Sequence, residues 1–264
     1  MQQTTAMLAL LQWQVAMGAT EAVSEVPENW LAAPPPAPEP AAQPVQAAPA
    51  DRSKVTPIKP ASAPNISLAE TVSAAEQAAS GADSLEALSM AVHAFDGCPL
   101  KKTARNTVFA AGNFASKLLL IGEAPSASDD LSGEAFSGEA GALLNKMLAA
   151  IGLSRDTDCA LINGVFWRPP GNRPPTAEEA AICLPFLKRF IALQAPTQIV
   201  LLGGGTAKVL LGETRSLSQL RAASLQYAGA EVRATLAPST LLRQPLQKKL
   251  AWQDLLALKA AISQ

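Results

Sequence analysis

A carboxylate and an amide each stand in this chain where a buried segment gives way to a loop, and an aromatic ring stands in a glycine-rich stretch between them. Glu123 follows the apolar run Leu118 to Ile121 and lies within Gly122-Glu123-Ala124-Pro125-Ser126. A carboxylate delivered to the end of a buried strand is placed to orient a water or a ligand amide. Asn163 ends a second such run, Cys159 to Asn163. Its side chain offers one acceptor and one donor, the complement of the O4 and N3 edge of a pyrimidine. Phe136 lies in the glycine-rich stretch GEAFSGEAG (133–141) and offers a flat face on which a ring can stack. Taken singly, each has an ordinary alternative: a solvated turn acid, a strand-end cap, a hydrophobic plug.

Two more loops add to the set. After Asn163 the chain runs through Trp167, Arg168, Pro169, Pro170, Gly171, Asn172 and Arg173, and a later run ends in Leu236-Ala237-Pro238-Ser239 followed by Leu241, Leu242 and Arg243. Gly203-Gly204-Gly205 is not a phosphate-cradling P-loop, because no Lys-Ser or Lys-Thr follows at the required spacing.

The elements that must position these residues alternate in type. KLLLIG (117–122), CALINGVF (159–166), QIVLLGGG (198–205) and EVRATLAPS (231–239) read as strands. Between and after them lie helical stretches, among them AGALLNKMLAAIG (140–152), ending at Gly152, and 176–194, with Thr176 as N-cap and Glu178 and Glu179 in its first turn. Strands alternating with helices predict an α/β fold of three layers, α/β/α, around a central, mainly parallel, four-stranded sheet. Its ligand loops belong at the carboxyl ends of the strands.

Composition sets the outer limits. The 264 residues are 48% apolar and 16% charged, enough for one core-bearing domain and additional sequence. Residues 1–100 hold three basic against ten acidic residues, whereas 101–264 hold eighteen against twelve, so a basic domain follows an acidic leader. That asymmetry favours a polyanionic partner for the C-terminal part. Three cysteines, Cys98, Cys159 and Cys183, are too few for a disulfide scaffold and fit a reducing cytoplasm. No basic residue precedes Arg52 and no apolar run is of spanning length, so neither a signal peptide nor membrane association is expected. Residues 1–30 read as an amphipathic helix carrying Leu8, Leu11, Trp13 and Met17, suited to docking on a protein partner or on the body. Residues 31–66 are a Pro/Ala-rich linker, and 67–264 form a monomeric domain whose lead-in, 67–94, is read as a helix.

In order, GEAPS, AFSGEAG, INGVFWRPPGNR, CLPFL and APSTLLRQP resemble the GEAPG, PFVGRAG, Asn-to-CRPPGNR, Cys-PFL and HPS-to-LLR segments of the iron-sulfur (family 4) branch of the uracil-DNA glycosylase superfamily. The match spans nearly all of residues 95–262. The resemblance implies base-excision repair of DNA by hydrolysis of the N-glycosidic bond of uracil. By it Phe136 stacks on a flipped-out uracil, Asn163 reads its edge, and Gly122, Ala124, Pro125 and Ser239 shape the pocket. Glu123 acts on the water or the sugar, and Arg168, Arg173, Arg221 and Arg243 meet DNA. Flipping is needed because the bond is out of reach within a stacked duplex.

Departures from the pattern are specific. The histidine of the HPS loop is Ala237 here, and the chain's one histidine, His93, lies outside every matching motif. The resembled branch holds a [4Fe-4S] cluster on four cysteines, and the matching positions are Phe95, Cys98, Trp167 and Cys183. Two thiolates do not hold such a cluster, so no metal or cofactor is expected. Glu139 replaces an arginine of the family. Three functions follow as alternatives: a weakened uracil-DNA glycosylase, a protein of the same fold that binds DNA or a nucleobase without cleaving it, and a scaffold that recruits a partner through its N-terminal helix.

Overall fold

The computed structural model describes residues 67–262. The helix and linker expected over 1–30 and 31–66 lie outside the described residues.

Four short strands, three of them apolar runs and the fourth alternating, build the centre. Strands β2 (Leu118–Gly122), β3 (Ala160–Asn163), β4 (Gln198–Leu202) and β6 (Ala230–Thr235) pair in parallel, with Gly122 opposite Asn163 and Leu202 opposite Thr235. Two edge strands pair antiparallel, β1 (Ala110–Gly112) on β3 and β5 (Leu225–Tyr227) on β6. The sheet therefore has six strands in the order β1-β3-β2-β4-β6-β5, not four. The two that the sequence did not reveal are three residues each, AAG and LQY, too short to carry an alternating pattern.

Both faces of the sheet are covered, which explains why β2 and β3 are buried along their whole length. On one face Leu119, Ile121, Ile162, Ile199 and Val232 pack with α1 (Leu68–Ser80), α2 (Leu85–Ala94) and the long α6 (Ala177–Gln194). On the other, Leu118, Leu120, Leu161 and Val200 pack with α4 (Gly138–Ala150), α9 (Pro238–Arg243) and α10 (Lys248–Ile262). Each fully buried Leu, Ile or Phe contributes about 1.5–3 kcal/mol. The three-layer architecture is as expected from the sequence.

The lead-in is two helices rather than one. Ser84 lies in extended backbone and accepts from the Ala87 amide, so it starts a new helix after the turn at Gly81–Asp83. The strand expected over 159–166 ends at Asn163, and 164–169 leave the sheet. Two short helices complete the loops at the strand ends: α3 (Ala127–Ser132), capped by Ser126, and α5 (Arg155–Asp158), capped by Ser154. Beyond β4 come α7 (Gly204–Leu211) and α8 (Leu217–Arg221). No helix among the described residues is long and apolar enough to cross a membrane.

Candidate active site

Because β3 lies on one side of β2 while β4 and β6 lie on the other, the loops leaving the carboxyl ends of these strands diverge and open a crevice. Its cavity is about 420 Å³. Gly122, Glu123, Ala124, Pro125 and Ser126 form one wall, Phe136 and Ser137 a second, Asn163 the floor, and Ala237, Pro238, Ser239 and Arg243 the far side. Four segments spread over more than a hundred residues of sequence thus meet at one place.

Gly122 fixes the distance between the two groups suited to a base. A Cβ at this position would lie 2.4 Å from Asn163 Oδ1 and 2.7 Å from Phe136 Cζ. The amide and the ring therefore press against the same backbone, and only glycine leaves room for both. Asn163 is 2% exposed, and its Nδ2 has no hydrogen-bond partner. A buried donor left unsatisfied costs about 1–3 kcal/mol. An acceptor presented inside the crevice recovers that cost.

Phe136 has φ of +57°, the left-handed region, which is unfavourable for a bulky L-residue by about 1–2 kcal/mol. The conformation is fixed from both sides along the chain. The Phe136 carbonyl accepts from Arg155 Nη1 at 2.8 Å, and the Ser137 amide donates to Asp129 Oδ1 at 2.6 Å. Asp129 also accepts from the Ser126 amide at 2.8 Å, so one buried carboxylate ties the Glu123 loop to the Phe136 loop.

Glu123 is half-buried and makes no hydrogen bond among the described residues. Burial pushes its carboxyl above the ordinary carboxylate value. The carboxylate lies against the first turn of α7, where a Cβ on Gly205 would come within 2.5 Å of Glu123 Cδ. A half-buried, unpaired carboxylate lining the same crevice as an unpaired amide is an arrangement that packing alone does not favour.

The arginines expected to meet DNA are placed differently. Arg243 is exposed and lines the crevice. Arg173 also lines it but forms a bidentate pair with Glu179, at 2.8 and 2.6 Å, pinning the Pro-rich loop to the start of α6. That pair holds the Glu179 carboxyl below the ordinary range. Arg168 turns to Asn172 Oδ1 at 2.7 Å and to Asp130 at 4.0 Å. Arg221 is not at the crevice. It is held in a two-pronged pair with Asp254, at 2.7 and 2.8 Å, and lines a separate cavity of about 240 Å³.

Ala237, at the position of the family's loop histidine, lines the crevice with only a methyl group. His93 lies on α2, exposed, with Nδ1 2.8 Å from the Ser89 carbonyl, and supplies nothing there. Two residues that sequence reasoning did not single out bear on the geometry. Asp129 was visible as the last residue of a Ser-x-x-Asp capping box; Arg155 left no local signal.

The positions that resemble cluster ligands do not fit one. Cys98 and Cys183 are free thiols, both buried in the same core. Phe95 meets Phe186 edge-on at 5.2 Å, and Trp167, 1% exposed, meets Phe166 edge-on at 6.0 Å and donates from Nε1 to Thr107 Oγ1 at 2.9 Å. Cys159 belongs to the core on the other face of the sheet, with its thiol pushed up to about 12 by burial, and does not complete the set. No cluster of three or more metal-ligating His, Cys, Asp or Glu side chains occurs among the described residues.

A mainly parallel sheet with a crevice at the carboxyl ends of its strands fits the class, and comparison with known proteins agrees. The model of the uracil DNA glycosylase superfamily matches residues 109–256. A type-4 uracil-DNA glycosylase of Pyrobaculum aerophilum is 37% identical over 158 residues, covering 57% of this chain and 80% of that protein. One of Thermotoga maritima is 35% identical over 161 residues, covering 60% and 83%, and one of Archaeoglobus fulgidus 43% identical over 113 residues, covering 43% and 56%. The chain belongs to the uracil-DNA glycosylase superfamily.

Proposed function

We propose that this protein hydrolyses the N-glycosidic bond of uracil in DNA, as a base-excision repair enzyme of reduced rate. The observation that carries the reading is the buried, unpartnered Nδ2 of Asn163 beside the Phe136 ring. A flipped uracil stacked on Phe136 presents O4 to that donor and N3–H to Oδ1, which turns an unsatisfied amide into a reader of the base. Cytosine carries a donor at the first position and an acceptor at the second, so the same amide orientation rejects it.

When the bond breaks, the sugar gains positive charge and the base negative charge. Glu123, above the reacting sugar, orients the attacking water and offsets the cation. No side-chain donor from residue 237 meets the base oxygen, since Ala237 has none. Loss of one such donor costs roughly a hundred- to a thousandfold in rate. Ala237 also supports the second reading, a protein that captures uracil-containing DNA without cleaving it.

The reading takes DNA as partner, a protein partner through residues 1–30, a monomeric state and a cytoplasmic site of action. It requires no iron-sulfur cluster, since Phe95 and Trp167 stand at two of the four ligand positions. Iron and acid-labile sulfide measured on anaerobically purified protein should both be near zero, and stoichiometric iron would overturn that part. Deleting residues 1–65 should abolish recovery of a protein partner while leaving DNA binding intact.

The function is tested by single-turnover incubation, with protein in excess over labelled uracil-containing single- and double-stranded DNA, scoring alkali cleavage at abasic sites. Slow cleavage that Glu123→Ala or Asn163→Ala abolishes establishes the enzyme. No cleavage, with preferential binding of uracil-containing strands, establishes the binding protein.

A further inference from the structure

We propose that Arg155 is a positioning residue for the base pocket, acting through Phe136 without touching the ligand. The inference rests on the reading of Phe136 as the stacking platform, and the geometry behind it is independent of that reading. Arg155 opens the short helix α5 and its side chain is 12% exposed, a poor place for a charge without a task. Its guanidinium spans two successive carbonyls, donating from Nη1 to Phe136 O at 2.8 Å and from Nη2 to Ala135 O. Glu134 adds an ion pair at 3.4 Å. Arg155 does not line the crevice.

The two carbonyls it grips flank the Cα of a residue that does not favour its own backbone conformation, Phe136 at φ +57°. Asp129 holds the next amide from the opposite side. Gly141 leaves the space: a Cβ there would lie 1.6 Å from the Phe136 carbonyl oxygen. Releasing the guanidinium lets the peptide on either side of Phe136 relax toward ordinary backbone, which swings the ring away from Gly122 and Asn163. A planar, forked cation is the side chain that spans both carbonyls; the ammonium of lysine grips one at a time.

The test compares full-length wild type with Arg155→Met, Arg155→Lys, Phe136→Ala and the Arg155→Met/Phe136→Ala double variant. Each is titrated with a uracil-containing and an undamaged single strand, and backbone amide exchange is followed over residues 134–138. Arg155→Met should weaken binding of the uracil strand about tenfold relative to wild type, leave affinity for the undamaged strand unchanged, and speed exchange at the Ser137 amide. Arg155→Lys should fall between, which also covers the case in which the methionine variant folds poorly. In the Phe136→Ala background the methionine substitution should cost nothing further. Additive losses in the double variant, or equal loss on the undamaged strand, overturn the proposal. Where wild type and Phe136→Ala treat both strands alike, the pocket reading itself is wrong, and exchange decides: unchanged Ser137 exchange in Arg155→Met then overturns the clamp, and faster exchange confined to this loop upholds it.

Discussion

The crevice at the carboxyl ends of the strands and the aromatic cluster around Trp167 differ in how completely their polar groups are satisfied. In the crevice Asn163 Nδ2 is buried with no partner, and Glu123 is desolvated without a hydrogen bond. Around Trp167 the indole N–H reaches Thr107, the thiols of Cys98 and Cys183 are buried in the same core, and rings of Phe95, Phe166 and Phe186 meet edge-on. A packed interior stabilises itself, whereas unsatisfied buried groups cost stability and persist where a ligand completes them. The first region is arranged for a molecule that comes and goes, the second for permanence.

Exchanging the two regions' roles in experiment tests that contrast. The largest expected effect is on stability. Trp167→Ala should cost about 3–5 kcal/mol, because it opens a cavity among fully buried rings and strands the Thr107 hydroxyl. In a thermal melt this lowers Tm on the order of 10 °C. Uracil excision below the new melting range should stay within a few-fold of wild type. A collapse of excision at temperatures where the variant is folded would show that the aromatic cluster is part of the site. Asn163→Ala should do the reverse. Excision should fall about a thousandfold, near 4 kcal/mol, while Tm holds or rises slightly, since an orphan donor is removed. A large loss of Tm would mean that Asn163 is a structural amide after all.

The contrast also explains what the sequence disclosed. Strands β2, β3 and β4 were legible as apolar runs bounded by loop signals and β6, AEVRAT, as an alternating one; Glu123 and Asn163 were legible at the ends of such strands, and Phe136 from its glycine-rich stretch in the motif order. The edge strands were not, being three residues with no periodicity. Arg221 was read as a DNA contact from its place in the motif order. In the fold its side chain pairs with Asp254, 33 residues away on α10, and nothing local announces such a pairing. Arg155 was invisible for the same reason, since its work is done on carbonyls 19 and 20 residues back. Local pattern reveals elements and their ends; pairings made across the fold must be seen.

Adding one donor to the crevice sharpens the comparison from the side of gain. Ala237 is the N-cap of α9 and is half-buried, and it lines the cavity, so a larger side chain there can enter the crevice. Ala237→His should raise the single-turnover rate roughly tenfold to a hundredfold, about 1.4–2.7 kcal/mol, short of the full value because the neighbouring loop is not shaped for it. An unchanged rate would mean that the chemistry already has another donor for the departing base.

The smallest effect is also the most direct measure of how the crevice differs from a packed interior. Burial raises the Glu123 carboxyl above the ordinary carboxylate value, so the folded protein holds that proton more tightly than the unfolded chain. Its contribution to stability is full below the unfolded value and is lost as pH rises through the raised folded value. Glutamine in its place cannot ionise. Glu123→Gln should therefore melt with wild type at acid pH and above it at neutral pH, by about a degree or two. The same shift moves the acid limb of excision upward for wild type, because the carboxylate must be ionised to orient water, and the glutamine variant should be inactive at every pH. A Tm difference that does not change with pH would place the Glu123 carboxylate in water, and the crevice would then lack the desolvated charge that distinguishes it.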